Sequence, residues 1–526
     1  MISSGVEIIV KDVYLEKGSI VLISRKGVLI RLRKFQDDVV RTLGQESSIR
    51  CIGLEAPTGG GKTFALLAPL ISNILFDTDF QGAVGLYPTK PLVNDQFVSL
   101  RDTLDRLGER VYELQGEDGY EVAIKYYMEL EVKDEKTKKL RNVAITVGLV
   151  RLTREALNKL EKGLEEVKGR KTLLNLIRKT LLDADYLILV AVPEYPYLLL
   201  SSLYRSIPDA QKVLSLVAEG SFVYDFARKV AKANDDEINN IIWRLKRELR
   251  SIFEPKSQER ERLDIYSALF SEIFFLDEFH TWTLYEKPTA LALILLFYLE
   301  SLRSVVPKKY KLILSSATPQ RDFYGILKNI GIEDLKIIRA RPIVNIENTD
   351  KIKVDKIKSM MKVHFIPVHV RPSVGIISWF KVEDALPEIV ENFAHRIVSY
   401  ERAIVFGRRN AIVEECAEKF YNRTNEIPII VTGVKPPANF YGKEILEERK
   451  NSGKLFVFGN YSIELGVDLR RIPFGIVYGV YLGELVQRIG RIGRGDVDEA
   501  EIIIPVPSGY TVSYTHLRAH ETSLHL

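Results

Sequence analysis

The stretch Ala56-Pro57-Thr58-Gly59-Gly60-Gly61-Lys62-Thr63 decides the fold of this 526-residue chain. An apolar run at 49–56 typical of a buried strand leads into it, and an apolar helix start at 64–70 follows it. A strand, a glycine-rich turn, Lys-Thr and a helix in this order are the context of a phosphate-binding loop. Consecutive glycines let backbone N–H groups face phosphate oxygens, and the helix N-terminus adds to the attraction.

Each part of this loop has an expected role. The backbone from Pro57 to Gly61, including Thr58, would cradle the phosphates of ATP, Lys62 would hold the β- and γ-phosphates, and Thr63 would be a ligand of Mg²⁺. A chance glycine turn is the alternative interpretation. It does not explain why the strand, the loop, the Lys-Thr pair and the helix all agree.

The composition excludes several classes of protein. Apolar residues make up 46% and charged residues 28% of the chain, as in folded globular proteins. The net charge of +5 is small beside 75 basic and 70 acidic residues, so affinity for nucleic acid must come from local clusters. The two cysteines, Cys51 and Cys416, have no CxxC partner, which argues against a disulfide framework or a zinc site. No signal peptide or apolar run of about 18 residues occurs, so we expect a cytoplasmic protein without a membrane partner.

Short apolar runs before turn residues and amphipathic helices predict an α/β fold with parallel sheets. One set of runs lies at 49–56, 83–87, 186–192, 273–276 and 311–314, and a second at 402–406, 427–431, 455–458, 474–478 and 501–504. We therefore expect a first domain at 1–320, a connecting region at 321–395 that holds several prolines, and a second domain at 396–506.

Two stretches of the first domain, 153–183 and 205–268, combine many Lys, Arg and Glu residues with apolar residues at helical spacing. We interpret them as helical insertions with a solvated face, in preference to a dedicated DNA-binding or partner surface. Residues 507–526 are expected to be a non-native or truncated tail. Three of the seven histidines, His516, His520 and His525, lie there without a carboxylate or cysteine framework, so a foreign segment explains them better than a metal site.

Asp277 and Glu278 directly follow the apolar run 273–276, which places two carboxylates at the carboxyl end of a strand, where α/β ligands bind. Asp277 can hold Mg²⁺ through water, and Glu278 can orient or deprotonate an attacking water. A solvated acidic pair is the alternative. We interpret His280 as a link between nucleotide state and the second domain.

Other motifs complete the pattern. Ser316-Ala317-Thr318 follows another apolar strand, where hydroxyl groups can hydrogen-bond the carboxylates and relay their state. The second domain contains Ser462-Ile463-Glu464-Leu465-Gly466-Val467-Asp468 and Gln487-Arg488-Ile489-Gly490-Arg491-Ile492-Gly493-Arg494. Arg491 and Arg494 are expected on one helix face, from which they can reach a γ-phosphate as arginine fingers. Ordinary surface arginines are the alternative.

The ordered set resembles the superfamily-two helicases of the DExH type over residues 30–506. The resemblance implies two tandem RecA-like domains, with ATP and Mg²⁺ as cofactors and single-stranded or partly duplex nucleic acid as partner. It implies that Gln36 reads adenine, that Gly466 and Asp468 face the nucleotide, and that Gln487, Arg491 and Arg494 sense the γ-phosphate. It places nucleic-acid contacts at Thr89, Lys90, Pro193, Glu194, Arg408 and Ser462.

A narrower resemblance is to the helicase subunit of CRISPR type I systems, especially the type I-D form. Residues 276–280, the long insertion before them and residues 459–468 carry it, and Phe279 replaces the more usual Ala. This resemblance implies 3′ to 5′ movement on DNA within an effector complex. No His is followed by Asp, and the helicase core starts within about forty residues of the N-terminus, so we expect an HD nuclease on a separate subunit.

The alternatives are a DExH helicase of RNA remodelling or DNA repair, and a nucleotide-gated clamp on an effector complex that does not unwind. The Lys62, Glu278, Arg491 and Arg494 set argues against a pure scaffold, which does not need hydrolytic residues. Motifs that read the backbone do not distinguish RNA from DNA.

Overall fold

The computed structural model describes residues 6–57, 59–115, 121–153, 184–192, 272–279, 311–317, 324, 334–343, 354–370, 376–442, 445–446, 449, 453–464, 469, 471–480, 482–494 and 497–508. The chain divides into two compact units. The N-terminal unit consists of Lys17–Ala56 and Lys62–Arg339. The C-terminal unit consists of Met1–Glu16, Pro57–Gly61 and Ala340–Leu526.

The described elements largely alternate between strands and helices at 34–107 and again at 376–507. The strands are β1 (Val6–Val10), β2 (Val13–Ser24), β3 (Leu29–Arg33), β4 (Cys51–Glu55), β5 (Gly82–Leu86), β6 (Glu109–Gln115), β7 (Glu121–Asp134), β8 (Lys139–Leu152), β9 (Tyr186–Ala191), β10 (Ile273–Leu276), β11 (Lys311–Ser316), β12 (Leu335–Arg339), β13 (Val354–Lys358), β14 (Met360–Val368), β15 (Arg402–Phe406), β16 (Ile429–Val431), β17 (Leu455–Gly459), β18 (Phe474–Val477) and β19 (Glu499–Pro507). The helices are α1 (Lys34–Gln45), α2 (Ala68–Phe76), α3 (Lys90–Leu107), α4 (Ile376–Val382), α5 (Leu386–Ser399), α6 (Asn410–Thr424), α7 (Tyr461–Glu464) and α8 (Leu482–Ile489), with short 3₁₀ helices at Lys62–Leu66 and Glu383–Ala385.

The sheet of the N-terminal unit has a parallel half. Its order is β12-β4-β11-β10-β5-β9-β8, and every neighbouring pair in this series is parallel. All residues of β4, β5, β9, β10 and β11 are buried, as expected for strands covered on both faces. The five apolar runs predicted for the first domain are therefore confirmed as neighbouring strands of one sheet.

The same sheet continues as an antiparallel ladder that the sequence analysis did not anticipate. β8 pairs with β7, and β7 pairs with β2 and with β6. Charged residues recur within β7 and β8, and the resulting pattern lacks the continuous apolar run by which buried parallel strands are recognised. Alternating polar and apolar residues suit strands that expose one face to solvent.

The C-terminal unit contains a seven-stranded sheet in the order β1-β14-β19-β18-β15-β17-β16. Only the β1–β14 pair is antiparallel. Successive residues of β15 face opposite sides: Ile404 and Phe406 belong to one apolar cluster, and Ala403 and Val405 to the other. Burial on both faces explains why the predicted runs at 402–406, 427–431, 455–458, 474–478 and 501–504 are largely apolar. Each of the five runs contains a strand, so all five are confirmed.

The expected connecting region at 321–395 contains strands and helices. β12 lies in the N-terminal unit, whereas β13, β14 and α4 lie in the C-terminal unit. The prolines that suggested a linker have other roles. Pro387 occupies the first turn of α5, and Pro367 lies beyond Phe365, the last residue of β14 that pairs with β1. Residues 1–16 group with the C-terminal unit because β1 pairs with β14, so the compact units differ from the expected domain bounds.

Several predicted features lie outside the described residues. They are most of the helical insertions at 153–183 and 205–268 and the tail at 509–526. Of the helices that the structure describes, none combines the length and apolar character that crossing a membrane requires. Cys51 and Cys416 are both buried and free.

Leu314, in the middle of the parallel half, tests the packing of the N-terminal unit. Its side chain is 0% exposed, and Leu314→Ala is expected to lower the free energy of unfolding by about 2–5 kcal/mol because it leaves a cavity. Leu140→Ala is the matched control, because Leu140 is 54% exposed and its truncation should change stability by less than about 0.5 kcal/mol. Urea denaturation monitored by circular dichroism measures both. Equal effects of the two substitutions would contradict the assigned burial.

Candidate functional site

The loop after β4 has the backbone shape that phosphate binding requires. Gly59 and Gly61 adopt φ values of 77° and 83°, which favour glycine. A Cβ on Gly60 would lie 2.8 Å from the Pro57 carbonyl oxygen, so a side chain there would displace the turn. Lys62 begins a short 3₁₀ helix, and the α-helix starts only at Ala68, later than the predicted helix start at 64.

Lys62 is buried in the N-terminal unit. Its ammonium donates to the Ala56 carbonyl at 3.3 Å and lies 3.5 Å from Oε1 of Glu278. The side chains of Lys62 and Glu278 are only 8% and 13% exposed, so this ion pair is weakly screened by solvent. The pairing brings together two residues predicted from motifs more than two hundred positions apart.

Asp277 lies directly after β10, where the parallel strands end. Its backbone N–H donates to the Leu86 carbonyl at 3.0 Å, and the Ser315 hydroxyl donates to Oδ1 at 2.8 Å. Burial, reinforced by the neighbouring charge of Glu278, raises the pKa of Asp277 to about 6, while Lys62 and Ser315 oppose that shift. Asp277 is therefore ionised at neutral pH, although the burial of its charge lowers the free energy of unfolding.

Glu278 has an unusual backbone conformation, with φ of 46° in the left-handed region. A non-glycine residue in that region costs on the order of 1 kcal/mol, and such residues cluster at functional sites. The turn directs Asp277 and Glu278 to different partners, Ser315 and Lys62. The strained turn thus separates the two carboxylates that the sequence places side by side.

Two residues near this site were not identified from the sequence. Ser315 contacts Asp277, whereas the prediction named Ser316, Ala317 and Thr318. The Ser316 carbonyl accepts from the Ala56 N–H at 3.2 Å and so supports the start of the loop. Gln96 accepts a hydrogen bond from the Thr63 hydroxyl. The alternation of side chains along β11 separates Ser315 from Ser316, and that alternation was the available signal.

These residues fit Mg²⁺-bound ATP. The glycine loop leaves no space for a side chain at residue 60, Lys62 supplies a buried positive charge, and Asp277 and Thr63 supply the oxygen ligands that Mg²⁺ prefers. When bound, Mg²⁺ neutralises phosphate charge. Lys62 and the loop would hold the phosphates, and Asp277 and Thr63 would hold the metal ion.

Phe279 is completely buried, and its ring centre lies 5.8 Å from that of Tyr324. An aromatic pair of this kind adds about 0.5–1.5 kcal/mol beyond simple burial. The substitution of Phe for the more usual Ala is therefore accommodated by Tyr324. His280 and Thr318 lie outside the described residues.

Gln36 is buried near the start of α1. Its side-chain oxygen accepts from the Arg33 N–H at 2.8 Å, as in a capping box. The structure therefore shows a capping role for Gln36. Reading of adenine by this residue stays a prediction.

The predicted nucleic-acid contacts of the N-terminal unit begin α3. Thr89 is its N-cap and accepts from the Leu92 N–H at 3.4 Å, and Lys90 is exposed. The backbone N–H groups at a helix N-terminus can bind a phosphate. Pro193 and Glu194 lie outside the described residues.

Arg408 of the C-terminal unit is held by its neighbours. Its Nε lies 3.4 Å from Oε1 of Glu484, and its guanidinium lies 5.2 Å from the ring centre of Phe380. Glu383, which is 1% exposed, accepts from the backbone N–H groups of Arg408 and Arg409 at 2.6 and 2.8 Å. Glu383 was missed because no sequence motif connects it with residues 408–409.

Ser462 lies on α7 of the C-terminal unit, and its N–H donates to the Asn460 side chain at 2.9 Å. It is half-buried. The adjoining Gly466 and Asp468 lie outside the described residues, as does Thr58 of the glycine loop. Their predicted nucleotide contacts stay predictions.

Gln487 is half-buried on α8, and its contact with the γ-phosphate stays a prediction. The predicted placement of Arg491 and Arg494 on a helix is wrong. The helix ends at Ile489, and both arginines lie in the turns that follow. Gly493, with φ of 71°, supports this turn and prevents continuation of the helix.

Hydrogen bonds nevertheless hold the segment 490–494, here called the arginine turn. The Arg491 N–H donates to the Arg488 carbonyl at 3.0 Å, and Nε of Arg494 donates to the Gly490 carbonyl at 2.5 Å. The Arg494 carbonyl accepts from the Arg471 N–H at 2.9 Å. Arg491 and Arg494 are both half-buried, so neither is an ordinary exposed arginine.

A family model for DEAD/DEAH box helicases matches residues 33–178, which include the glycine loop and α3. This segment is similar to DEAD/DEAH box helicases. A helicase domain of this class is an ATP-hydrolysing enzyme with ATP and Mg²⁺ as cofactors. The glycine loop, Lys62, Asp277 and Glu278 are the residues that match this chemistry.

Several known proteins are similar to this chain in sequence or in fold. A 45-residue segment is 53% identical to the ATP-dependent RNA helicase ROK1 of Vanderwaltozyma polyspora and covers 8% of each chain. The structure of the DUF1998 helicase MrfA bound to DNA and AMPPNP is similar over 100% of this chain and 56% of that chain, with 16% identity and a TM-score of 0.51. Mss116p bound to ssRNA and AMP-PNP is similar over 94% of this chain and 73% of that chain, with 14% identity and a TM-score of 0.50. This chain therefore spans little more than half the length of the MrfA chain and is similar to it in fold.

Asp277→Asn tests the cost of the buried carboxylate. The asparagine oxygen can still accept from Ser315, so the ligand-free helicase domain should gain on the order of 1 kcal/mol of stability at neutral pH. The gain should be full above pH about 6, should shrink as the pH falls toward 3.8, the unfolded value, and should vanish below it, because the wild-type carboxyl is then neutral in both states. Thermal unfolding across this pH range measures the effect. The variant should also lose the extra stabilisation by AMPPNP that depends on Mg²⁺. A variant less stable than the wild type at pH 7.5 would contradict this account.

Proposed function

We propose that the whole protein uses ATP hydrolysis to move along a single nucleic-acid strand and to separate duplexes. The observation that carries the proposal is the buried set of Lys62, Asp277 and Glu278, with Asp277 held by Ser315. A protein that only binds nucleotide needs the lysine and the metal ligand. It does not need a second carboxylate held apart by a strained turn.

The proposed chemistry assigns one task to each side chain. Asp277 is a carboxylate above pH about 6, and the Ser315 hydroxyl fixes its orientation. Lys62 holds phosphate oxygens and keeps Glu278 oriented through their ion pair. The Glu278 carboxylate accepts the proton of the attacking water. Arg491 and Arg494 stabilise the negative charge that develops on the γ-phosphate.

Glu278→Gln tests the hydrolytic step. The variant should bind AMPPNP within about twofold of wild type, because the side-chain shape is kept, and should lose about 10²–10⁴-fold in turnover. ATPase assays with single-stranded nucleic acid, together with fluorescent-nucleotide titrations, measure the two quantities. Glu109→Gln, an exposed change on β6, is the matched control and should leave both unchanged. Undiminished stimulated hydrolysis by Glu278→Gln would refute the assignment.

We further propose DNA as the substrate, with 3′ to 5′ movement, in CRISPR type I interference. A separate HD nuclease subunit of the effector complex would make the cut. The support is the resemblance carried by residues 276–280 and 459–468, including Phe279. The fold likeness does not discriminate, because MrfA was solved with DNA and Mss116p with single-stranded RNA.

Two other functions compete with this proposal. The same motor could act in RNA remodelling or DNA repair, since contacts to phosphates are shared by RNA and DNA helicases. A nucleotide-gated clamp that docks on an effector complex without unwinding is the other alternative. The hydrolytic set around Glu278 favours a motor over a clamp.

Strand displacement separates these possibilities. Duplexes with a 3′ or a 5′ single-stranded tail, made of DNA or RNA, are incubated with the protein with ATP or AMPPNP. The proposal predicts ATP-dependent displacement of 3′-tailed DNA, weakened by salt because phosphate contacts release counterions. Displacement of RNA alone would favour RNA remodelling. ATP hydrolysis without displacement of any duplex would favour the clamp.

A further inference from the structure

Lys358, the last residue of β13 in the C-terminal unit, is buried although its side chain carries an ammonium group. Lys358 is only 8% exposed. Within the described part of the chain, its ammonium group has neither a hydrogen bond nor an ion pair. Lys356 on the same strand differs, because its side chain is 42% exposed and lies 3.1 Å from Asp12. Lysine is almost never buried unless it is paired, so the environment of Lys358 needs an explanation.

A strand irregularity places Lys358 in this position. In the antiparallel pairing of β13 with β2, Lys356 faces Tyr14 and Lys358 faces Val13, so the register shifts between the two lysines. A bulge of this kind redirects a side chain and is common beside functional sites. It explains how two lysines with the normal same-face spacing come to differ in exposure.

The surroundings of Lys358 are positively charged. The Ser359 N–H donates to the Gly493 carbonyl at 3.2 Å, which ties the end of β13 to the arginine turn. The positive charge of Arg494 disfavours the charged form of Lys358 and lowers its pKa. The carboxylate of Asp12, by contrast, is engaged by Lys356 and by the Met360 N–H at 2.7 Å. A buried ammonium near a half-buried guanidinium can attract an anion.

We propose that Lys358 is a phosphate-binding residue that acts beside Arg494. The ligand is a phosphate group, which either ATP or the nucleic-acid backbone can supply. The choice of ATP and nucleic acid as the two sources rests on the proposed function, whereas the binding of a phosphate group by Lys358 does not. The arginine has a role predicted from sequence, whereas Lys358 lies outside every motif.

The protonation of Lys358 supports this role. Burial, and then the charge of Arg494, lower the pKa of Lys358 to about 7. The charged form is therefore lost as the pH rises through about 7. A bound phosphate favours the charged form, so phosphate binding should take up a proton and weaken above this pH.

The test compares Lys358→Met and Lys358→Arg in the full chain. Methionine keeps the apolar length and removes the charge, and should weaken phosphate binding about ten- to a hundredfold. Arginine stays charged, so it should restore binding and abolish the weakening between about pH 6 and about pH 8. Lys356→Met is the matched control on the same strand and should stay within about twofold of wild type.

The probes are AMPPNP, ADP and a single-stranded DNA oligonucleotide, each titrated alone. Weaker binding of AMPPNP by Lys358→Met, with ADP and DNA unchanged, would assign the γ-phosphate. Weaker binding of DNA alone would assign a backbone phosphate. Either result supports the inference if thermal unfolding shows that Lys358→Met is at least as stable as wild type, as removal of an unpaired buried charge predicts.

Unchanged binding of all three probes by Lys358→Met would overturn the inference. Lys358 would then contribute only the packing of its apolar methylene chain. These titrations need no turnover, so a chain that fails to hydrolyse ATP would refute the proposed function and leave the inference about Lys358 standing.

Discussion

In-register pairing of β4, β10 and β11 is the constraint on which the candidate site depends. Leu276 pairs with Leu314, and Glu55 pairs with Ser316, so the three strands end at one edge of the sheet. Whatever follows them in sequence must meet there. Continuous apolar side chains keep these strands buried and fix the edge. The edge in turn forces charged groups into a dry environment, where they are tolerated only because each has a partner.

The parts of this arrangement that are local in sequence could be predicted. A glycine loop, an apolar strand and an acidic pair each form a short pattern, and the structure places Lys62 and Glu278 together as that pattern requires. Ser315 and Gln96 could not be found in this way, because their partners lie 38 and 33 residues away. Only the assembled sheet shows which hydroxyl or amide reaches a given carboxylate or threonine.

The C-terminal unit shows a different limit of sequence reasoning. Helical spacing suggested that Arg491 and Arg494 share a helix face, yet the helix stops at Ile489 and glycine turns fix the two side chains instead. The low helix propensity of Gly490 and Gly493 outweighed the helical spacing of the two arginines. The burial of Lys358 could not be predicted from the sequence for another reason. Whether a lysine is buried depends on a bulge and on distant neighbours, and its residue type alone predicts exposure.

The pairing of β1 with β14 has a consequence for synthesis of the protein. Val10 pairs with Met361, so β1 waits for a partner that is made 351 residues later. At about 5–20 residues per second this wait lasts roughly 20 to 70 seconds. The N-terminal unit can assemble its parallel strands during that time, whereas the C-terminal sheet must add, at its edge beside β14, a strand that was made long before. An unpaired apolar strand exposed for so long is a hazard for aggregation, and it gives chaperones a natural point of engagement.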